Sequence, residues 1–269
     1  MKVVVTGGGG LVGRFIVAEA RARGHEVTVT GRSGAEGGVR WSLEHEPLPL
    51  EGVDLLVHAA FAHLPGRYRG GEGDDPDGFR RRNVDGTARL FERAARDGVG
   101  RVVFLSSRAV YDGIDADELT EEMEVRPVSL YGQVKRAGEE ALAALCSGAS
   151  LRATGVYGPG GGHKWSELFT DFLSGRPVGS RRATEVAGRD LAAAVFLPLE
   201  GIVNVSDLLL DRHDLLAEVA ALTGCGHPLP ARSEERVAVM ATERLAAAGW
   251  RPGGMAGLRA VLPEMIAQA

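Results

Sequence analysis

The chain has 269 residues, and 31 lysines plus arginines against 36 aspartates plus glutamates leave a formal charge of −5. Mild acidity argues against a nucleic-acid-binding surface, which needs clustered positive charge, and no apolar run approaches the ~20 residues that span a bilayer. With 44% hydrophobic and 25% charged residues, the composition is that of a soluble globular chain, expected in the cytoplasm, as one large domain or a domain with a smaller lobe. Charged Lys2, followed by three valines and a glycine cluster, does not resemble a secretory leader. Cys146 and Cys225 cannot build a disulfide framework and lack metal-ligand spacing. The seven histidines contain no HExxH pattern, so no metal is expected.

In chain order, residues 3–6 form an apolar run before a glycine turn, and 11–23 carry helical apolar spacing at Leu11, Phe15, Ala18 and Ala22. Residues 25–30 alternate as a strand, and 53–58 (VDLLVH) read as a buried one. The polar, glycine-rich stretch 66–78 predicts a mobile surface loop. Residues 83–97 are amphipathic, 101–106 (RVVFLS) are a buried strand, 130–145 a long helix and 150–154 a short strand. Strands separated by helices of this length predict βαβ units, so the fold class is α/β: a doubly wound parallel sheet. The second half is less regular. Residues 158–162 (GPGGG) break the chain, helices are expected over 165–173, 188–199 and 211–222, and 202–205 form a strand. Two more helices over 243–266 are broken near Pro252. The expected division is 1–155 for the sheet domain and 156–269 mainly for a small lobe, with 185–205 returning to the sheet.

Residues 6–13 (TGGGGLVG) follow a strand and open a helix, the context that a dinucleotide fingerprint requires. Glycines there let the main chain approach a pyrophosphate whose charge rests at the helix N-terminus. Glycine is abundant, at 38 of 269 residues, so spacing alone counts for little here. After the second strand stand Arg32 and Ser33, with no acid at the strand end. An acid there serves the ribose hydroxyl of NAD, whereas arginine accommodates the 2′-phosphate, so NADP is favoured over NAD. Tyr131 and Lys135 are four apart on the long helix and share a face. A nearby ammonium favours phenolate and makes tyrosine a usable acid or base near neutrality. With four tyrosines and three lysines in the whole chain, chance gives such a pair with a probability of only about 0.04. Ser106 and Ser107 end the RVVFLSS strand, where ligands bind in parallel sheets.

Together these residues resemble the extended short-chain dehydrogenase/reductase family, the NAD(P)-dependent epimerase/dehydratase group. Residues 6–13 match its TGxxGxxG, 54–60 its strand ending in H-x-A, 83–87 its NVxGT and 106–111 its SSxxVY. Residues 131–135 match its YxxxK, 151–159 its LRxxxVYGP, and 204–206 its later NVS element. The resemblance implies a Rossmann-type sheet with a C-terminal substrate-binding lobe. It implies that Tyr131 is the general acid/base, Ser107 the catalytic serine and Lys135 the residue that holds the nicotinamide ribose and depresses the tyrosine pKa. It implies a coenzyme site made of Gly7, Gly10, Leu11, Val12, Gly13, Arg32, Ser33, His58, Ala59, Ala60 and Asn83, together with Tyr131 and Lys135. A homodimer through the 83–97 and 130–145 helices is the family's expectation.

Departures narrow the reading. Arg108 and Ala109 stand where the family's dehydratases carry an acidic pair, and the HVxD segment survives only as residues 185–190 (EVAGRD). Substrate contacts are expected from Ser107, Arg108, Tyr157, His163, Lys164, Trp165 and Arg181, with Lys164 suited to a diphosphate. The leading reading is an NADP(H)-dependent oxidoreductase that reduces a ketone, such as a keto nucleotide sugar. The alternatives are a nucleotide-sugar epimerase with tightly bound coenzyme, and an NADP-binding redox sensor without turnover.

Overall fold

The computed structural model describes residues 1–32, 38–64 and 70–269. Seven strands form one sheet with parallel pairing throughout. Across it lie β10 (Gly201–Val205), β7 (Gly148–Ala153), β5 (Arg101–Ser107), β4 (Leu55–His58), β1 (Lys2–Thr6), β2 (Glu26–Gly31) and β3 (Val39–Arg40). A sheet covered on both faces needs strands that are apolar on both sides. β4 and β7 are accordingly buried along their whole length, and β5 at five consecutive residues.

Alternation along β1 sorts the two faces. Val3 and Val5 pack with Ile16, Val17 and Ala20 of α1 (Gly13–Ala22) and with Leu191, Ala192 and Val195 of α6 (Gly188–Val195). Val4 packs on the other side with Leu90, Phe91 and Ala94 of α3 (Gly86–Arg96) and with Leu142 of α4 (Leu130–Leu145). Strand order reverses between β1 and β4, so the loops leaving their carboxyl ends diverge and open a crevice. This is the doubly wound Rossmann-like architecture that the element pattern predicts.

After β7 the chain builds a second layer over the sheet's carboxyl edge. β9 (Arg182–Ala187) pairs in parallel with β8 (Gly155–Tyr157) and antiparallel with β11 (Leu208–Asp211). Against them pack α5 (Ser166–Leu173), α7 (Arg212–Thr223) and α9 (Gly254–Ala267), around Tyr157, Trp165, Phe169, Leu216 and Leu262. α6 and β10 lie between these elements in sequence, yet they pack on and pair within the large sheet.

Some local expectations change. The stretch expected as a loop over 66–78 falls partly outside the described residues, and its end is helical: α2 (Pro76–Arg80). Asp75 Oδ1 accepts from the Gly78 N–H at 2.8 Å, and Pro76 occupies the first turn. This is a cap-plus-proline start that the glycine content obscures. A π-turn, Arg81–Asp85, leads from it into α3. The three-stranded sheet, and a two-residue pairing of β6 (Glu118–Leu119) with β12 (Val239–Met240), were not expected. Each is held by partners far away in sequence rather than by local periodicity. A short α8 (Glu243–Ala247) completes the described elements.

Candidate active site

The glycine loop lies at the mouth of the β1/β4 crevice. Gly7 has φ +68°, and a Cβ there would lie 2.7 Å from the Ala60 Cα. A Cβ on Gly13 would overlap the Gly7 carbonyl. Tight main-chain packing therefore requires both glycines. Gly9 has no heavy atom within 4 Å of an added Cβ and faces open space, and no side chain caps the N-terminus of α1. A cleft of about 370 Å3 is walled by this loop, by Arg32 at the end of β2, and by Ala59 and Ala60 after β4. The donor-rich, side-chain-free cradle fits a dinucleotide pyrophosphate. Gly7, Gly10, Leu11, Val12, Gly13, Arg32, Ala59 and Ala60 all line the cleft; Ser33 lies outside the described residues.

Of the other expected coenzyme residues, Tyr131 and Lys135 stand behind the wall and do not line the cleft, and His58 and Asn83 are turned away from it. His58 is completely buried, its Nδ1 2.7 Å from Thr6 Oγ1 and its Nε2 3.0 Å from Thr87 Oγ1. Thr6 Oγ1 also accepts from the Ala60 N–H, which suits a neutral ring that accepts at Nδ1 and donates at Nε2. Burial, with help from the Lys135 charge, pushes the His58 pKa down to about 3. The imidazole thus ties together β1, β4 and α3. Asn83, on the π-turn, is also buried: its amide donates to the Ala62 and Phe79 carbonyls, and its Oδ1 accepts from the Ala62 N–H. It fixes the wall segment and does not touch the space within. Sequence reasoning missed Trp41, Ser42 and Leu43 after β3, and Phe61 and His63 beyond the H-x-A segment. Only the latter pair had a signal, adjacency to a recognised motif.

The Tyr131/Lys135 helix packs beside the cleft wall, held by two close approaches to β5 and the turn after it. Ser129 caps α4, accepting from the Gly132 N–H and donating to Asp112 at 2.6 Å. A Cβ on Gly132 would overlap the Ala109 carbonyl, and one on Gly138 would lie 2.5 Å from the Phe104 ring. Glycine at both positions lets α4 lie flat against β5 and the turn Arg108–Tyr111. Phe61 from the cleft wall meets the Tyr131 ring edge to face, with centroids 5.2 Å apart, and lies 4.4 Å from Lys135 Nζ. That ammonium donates to the Leu105 carbonyl at 2.7 Å and sits 5.0 Å from the Phe104 ring. Burial lowers the Lys135 pKa to about 7. Ser107, half-buried at the end of β5, accepts from the Ala109 N–H through its hydroxyl. The fold thus brings the strand end, the phenol-bearing helix and the cleft wall together.

The expected substrate residues divide. Lys164, Trp165 and Arg181 line a second pocket of about 100 Å3 in the lobe, with Arg212 and Glu185. Lys164 and Glu185 form an ion pair there; burial lowers the Lys164 pKa and raises that of Glu185. Tyr157, however, belongs to the lobe core, stacked on Trp165 at 5.1 Å. His163 is buried and bonded to the Met265 carbonyl at 2.8 Å. Both were expected to contact substrate from their place at the lobe junction, but Tyr157 packs on Trp165 and His163 on α9. Arg108 is half-buried and donates to the Ala238 carbonyl. Glu185, which opens the degenerate HVxD segment, and Arg212, which nothing local marks, were not among the expected substrate residues.

The sequence model of the NAD dependent epimerase/dehydratase family matches residues 3–194. The chain belongs to this family. A UDP-glucose 4-epimerase of Corynebacterium glutamicum is 31% identical over 169 residues, 58% of this chain and 50% of that enzyme, so the chain spans half of that relative. A dTDP-4-dehydrorhamnose reductase of Mycolicibacterium smegmatis is 26% identical over 274 residues, 93% of this chain and 81% of that one. Among solved structures, MoeE5 in complex with UDP-glucose and NAD aligns with a TM-score of 0.80 at 28% identity, covering 100% of this chain and 98% of that chain. These family relatives carry epimerase and reductase names, and the family is one of NAD-dependent enzymes, so the cofactor is a nicotinamide dinucleotide. No helix among the described residues is long and apolar enough to cross a membrane.

Proposed function

We propose that the chain is an NAD(P)-dependent oxidoreductase acting at a carbinol/ketone carbon, with a keto nucleotide sugar as the substrate to be reduced. The observation that carries this reading is the meeting of Tyr131 and Lys135 with the cleft wall at Phe61, 5.2 and 4.4 Å away. The glycine loop and the α1 N-terminus hold the pyrophosphate of the coenzyme, and Arg32 favours NADP through its 2′-phosphate. The bound coenzyme supplies the hydride.

Tyr131 gives its phenolic proton to the carbonyl oxygen of the substrate as that oxygen gains charge. The Ser107 hydroxyl, on the strand end beside it, donates a hydrogen bond to the same oxygen. The Lys135 ammonium lowers the phenol pKa and orients the coenzyme ribose. Phe61, Phe104 and the buried side of α4 exclude water from the ammonium, which strengthens its effect on the phenol. In the lobe, Lys164, Arg181 and Arg212 outnumber Glu185 and suit the diphosphate of a nucleotide sugar.

An epimerase that oxidises and re-reduces one carbon is the second reading, favoured by the relatives that carry that name. Fluorescence titration with NADPH and NADH separates the two. Protein that purifies empty and binds NADPH at least ~10-fold more tightly than NADH supports the reductase and Arg32. Retained NAD, or an NADH preference, moves the epimerase ahead. Tyr131→Phe is expected to lower turnover by ~10³-fold while leaving coenzyme affinity within about twofold; unchanged turnover removes Tyr131 from the chemistry.

A further inference from the structure

Behind the Tyr131/Lys135 pair lies a buried polar cluster that the chemistry above does not use. Glu139 stands one helical turn beyond Lys135 on α4, completely buried, and faces an equally buried Arg152 on β7. Arg152 donates from Nε to Oε1 at 2.9 Å and from Nη2 to Oε2 at 2.7 Å. Ser106 Oγ donates to the same Oε1 at 2.5 Å, and Arg136 Nη1 lies 3.4 Å from Oε2. The far face of the guanidinium rests 4.7 Å from the Tyr111 ring, whose hydroxyl bonds to Asn204 Oδ1 at 2.8 Å.

Ser106 sits between Leu105, which receives the Lys135 ammonium, and Ser107. One carboxylate therefore joins the end of β5, the neighbouring strand β7 and the helix that carries the phenol. A dry ion pair of this kind adds little net stability compared with apolar side chains of the same volume. What it contributes is a fixed arrangement and a fixed charge.

We propose that Glu139 is a positioning residue for the Tyr131/Lys135 pair: it supplies the counter-charge of the buried Lys135 ammonium and clamps the end of β5, with Ser107, to α4. The proposal rests on the oxidoreductase reading. The titratable groups around Lys135 are Tyr131 and Glu139 on its own helix and His58 on β4, with Arg152 on β7 engaged by Glu139. His58 is held neutral by burial, and the rings of Phe61 and Phe104 bring no charge, so Glu139 is the anion that opposes the desolvation of the ammonium.

The chain has three lysines, Lys2, Lys135 and Lys164, so an NMR titration of protein labelled at lysine Cε resolves each one. In Glu139→Gln, which keeps the shape and removes the charge, the Lys135 midpoint is expected to fall by about one pH unit or more. The alkaline limb of turnover on a 4-keto nucleotide sugar should move down with it, with kcat falling and KM unchanged, and Glu139→Asp should restore part of both. A folded Glu139→Gln protein with the wild-type Lys135 midpoint overturns the proposal. If Glu139→Gln does not fold because Arg152 is left unpaired, Glu139→Gln/Arg152→Met removes both charges; a smaller fall is expected, because the Arg152 cation that opposes Glu139 goes with it, and a midpoint that is unchanged or raised overturns the proposal. A shifted midpoint in a protein that binds neither NADPH nor NADH supports the charge coupling and overturns the oxidoreductase reading alone.

Discussion

In the seven-stranded half, the cleft of about 370 Å3 is walled around the glycine loop by glycines, Ala59, Ala60 and main chain, with Arg32, Trp41 and Phe61 farther along it, whereas the lobe pocket of about 100 Å3 carries the charged side chains Lys164, Arg181, Arg212 and Glu185. Both suit an anion, with different materials. The cleft uses N–H groups and a helix N-terminus whose positions are set once the strand, turn and helix have formed. The lobe uses long side chains from elements far apart in sequence, whose charges are partly spent on one another, as in the Lys164–Glu185 pair. A main-chain site tolerates little change at its glycines and much around them. A side-chain site is adjustable one charge at a time, which suits a region that distinguishes substrates.

The sharpest way to break that contrast is Gly13→Val. Its side chain would run into the Gly7 carbonyl and the Gly8 Cα, so NADPH affinity should fall by at least ~100-fold in fluorescence titration. Affinity within tenfold of wild type would mean that the cradle is not a rigid main-chain device. His58 comes next, because it props up the wall of that cradle. Its pKa is about 3 in the folded protein and ~6.5 when unfolded. Its contribution is therefore complete above pH ~6.5 and is lost as pH falls from there toward 3. The loss amounts to about 1.4 kcal/mol, a tenfold change in the folding equilibrium, per pH unit. Urea unfolding between pH 7 and 4.5 should show His58→Gln flatter than wild type by one proton; equal slopes would mean that the imidazole is not held neutral. The smallest effect is expected in the lobe. Lys164→Met should raise KM for a nucleotide sugar about fivefold and leave NADPH affinity unchanged. A shift in coenzyme affinity instead would mean that the two regions do not act separately.

Much of the coenzyme half was legible because its signals are local. Residues 6–13 carry strand, turn and helix together, and the i, i+4 spacing of Tyr131 and Lys135 puts both on one face before any tertiary contact forms. The long helix expected over 130–145 has those bounds, Leu130–Leu145, and the structure adds the reason for its start, the Ser129 cap. His58 and Asn83 were assigned to the coenzyme because they are themselves motif residues, in H-x-A and NVxGT. Their side chains turn inward, His58 to Thr6 and Thr87 and Asn83 to Ala62. Motif position alone does not say which way a side chain points. Tyr157 and His163 went the same way, into the lobe core and onto Met265.

What the sequence by itself determined is the alternation of strand and helix, the glycine turn and the phenol–ammonium spacing. All of these rest on backbone preference and side-chain period within a few residues. What only the tertiary structure decided is which polar groups meet across long separations. Thr6 joins His58 over 52 residues, and Lys164 joins Glu185 over 21. Glu139 is brought between Ser106, 33 residues before it, and Arg152, 13 after it. Such pairs form because packing the sheet and its helices removes water from polar atoms that must then find partners, and the partner is whichever group the fold carries to that spot.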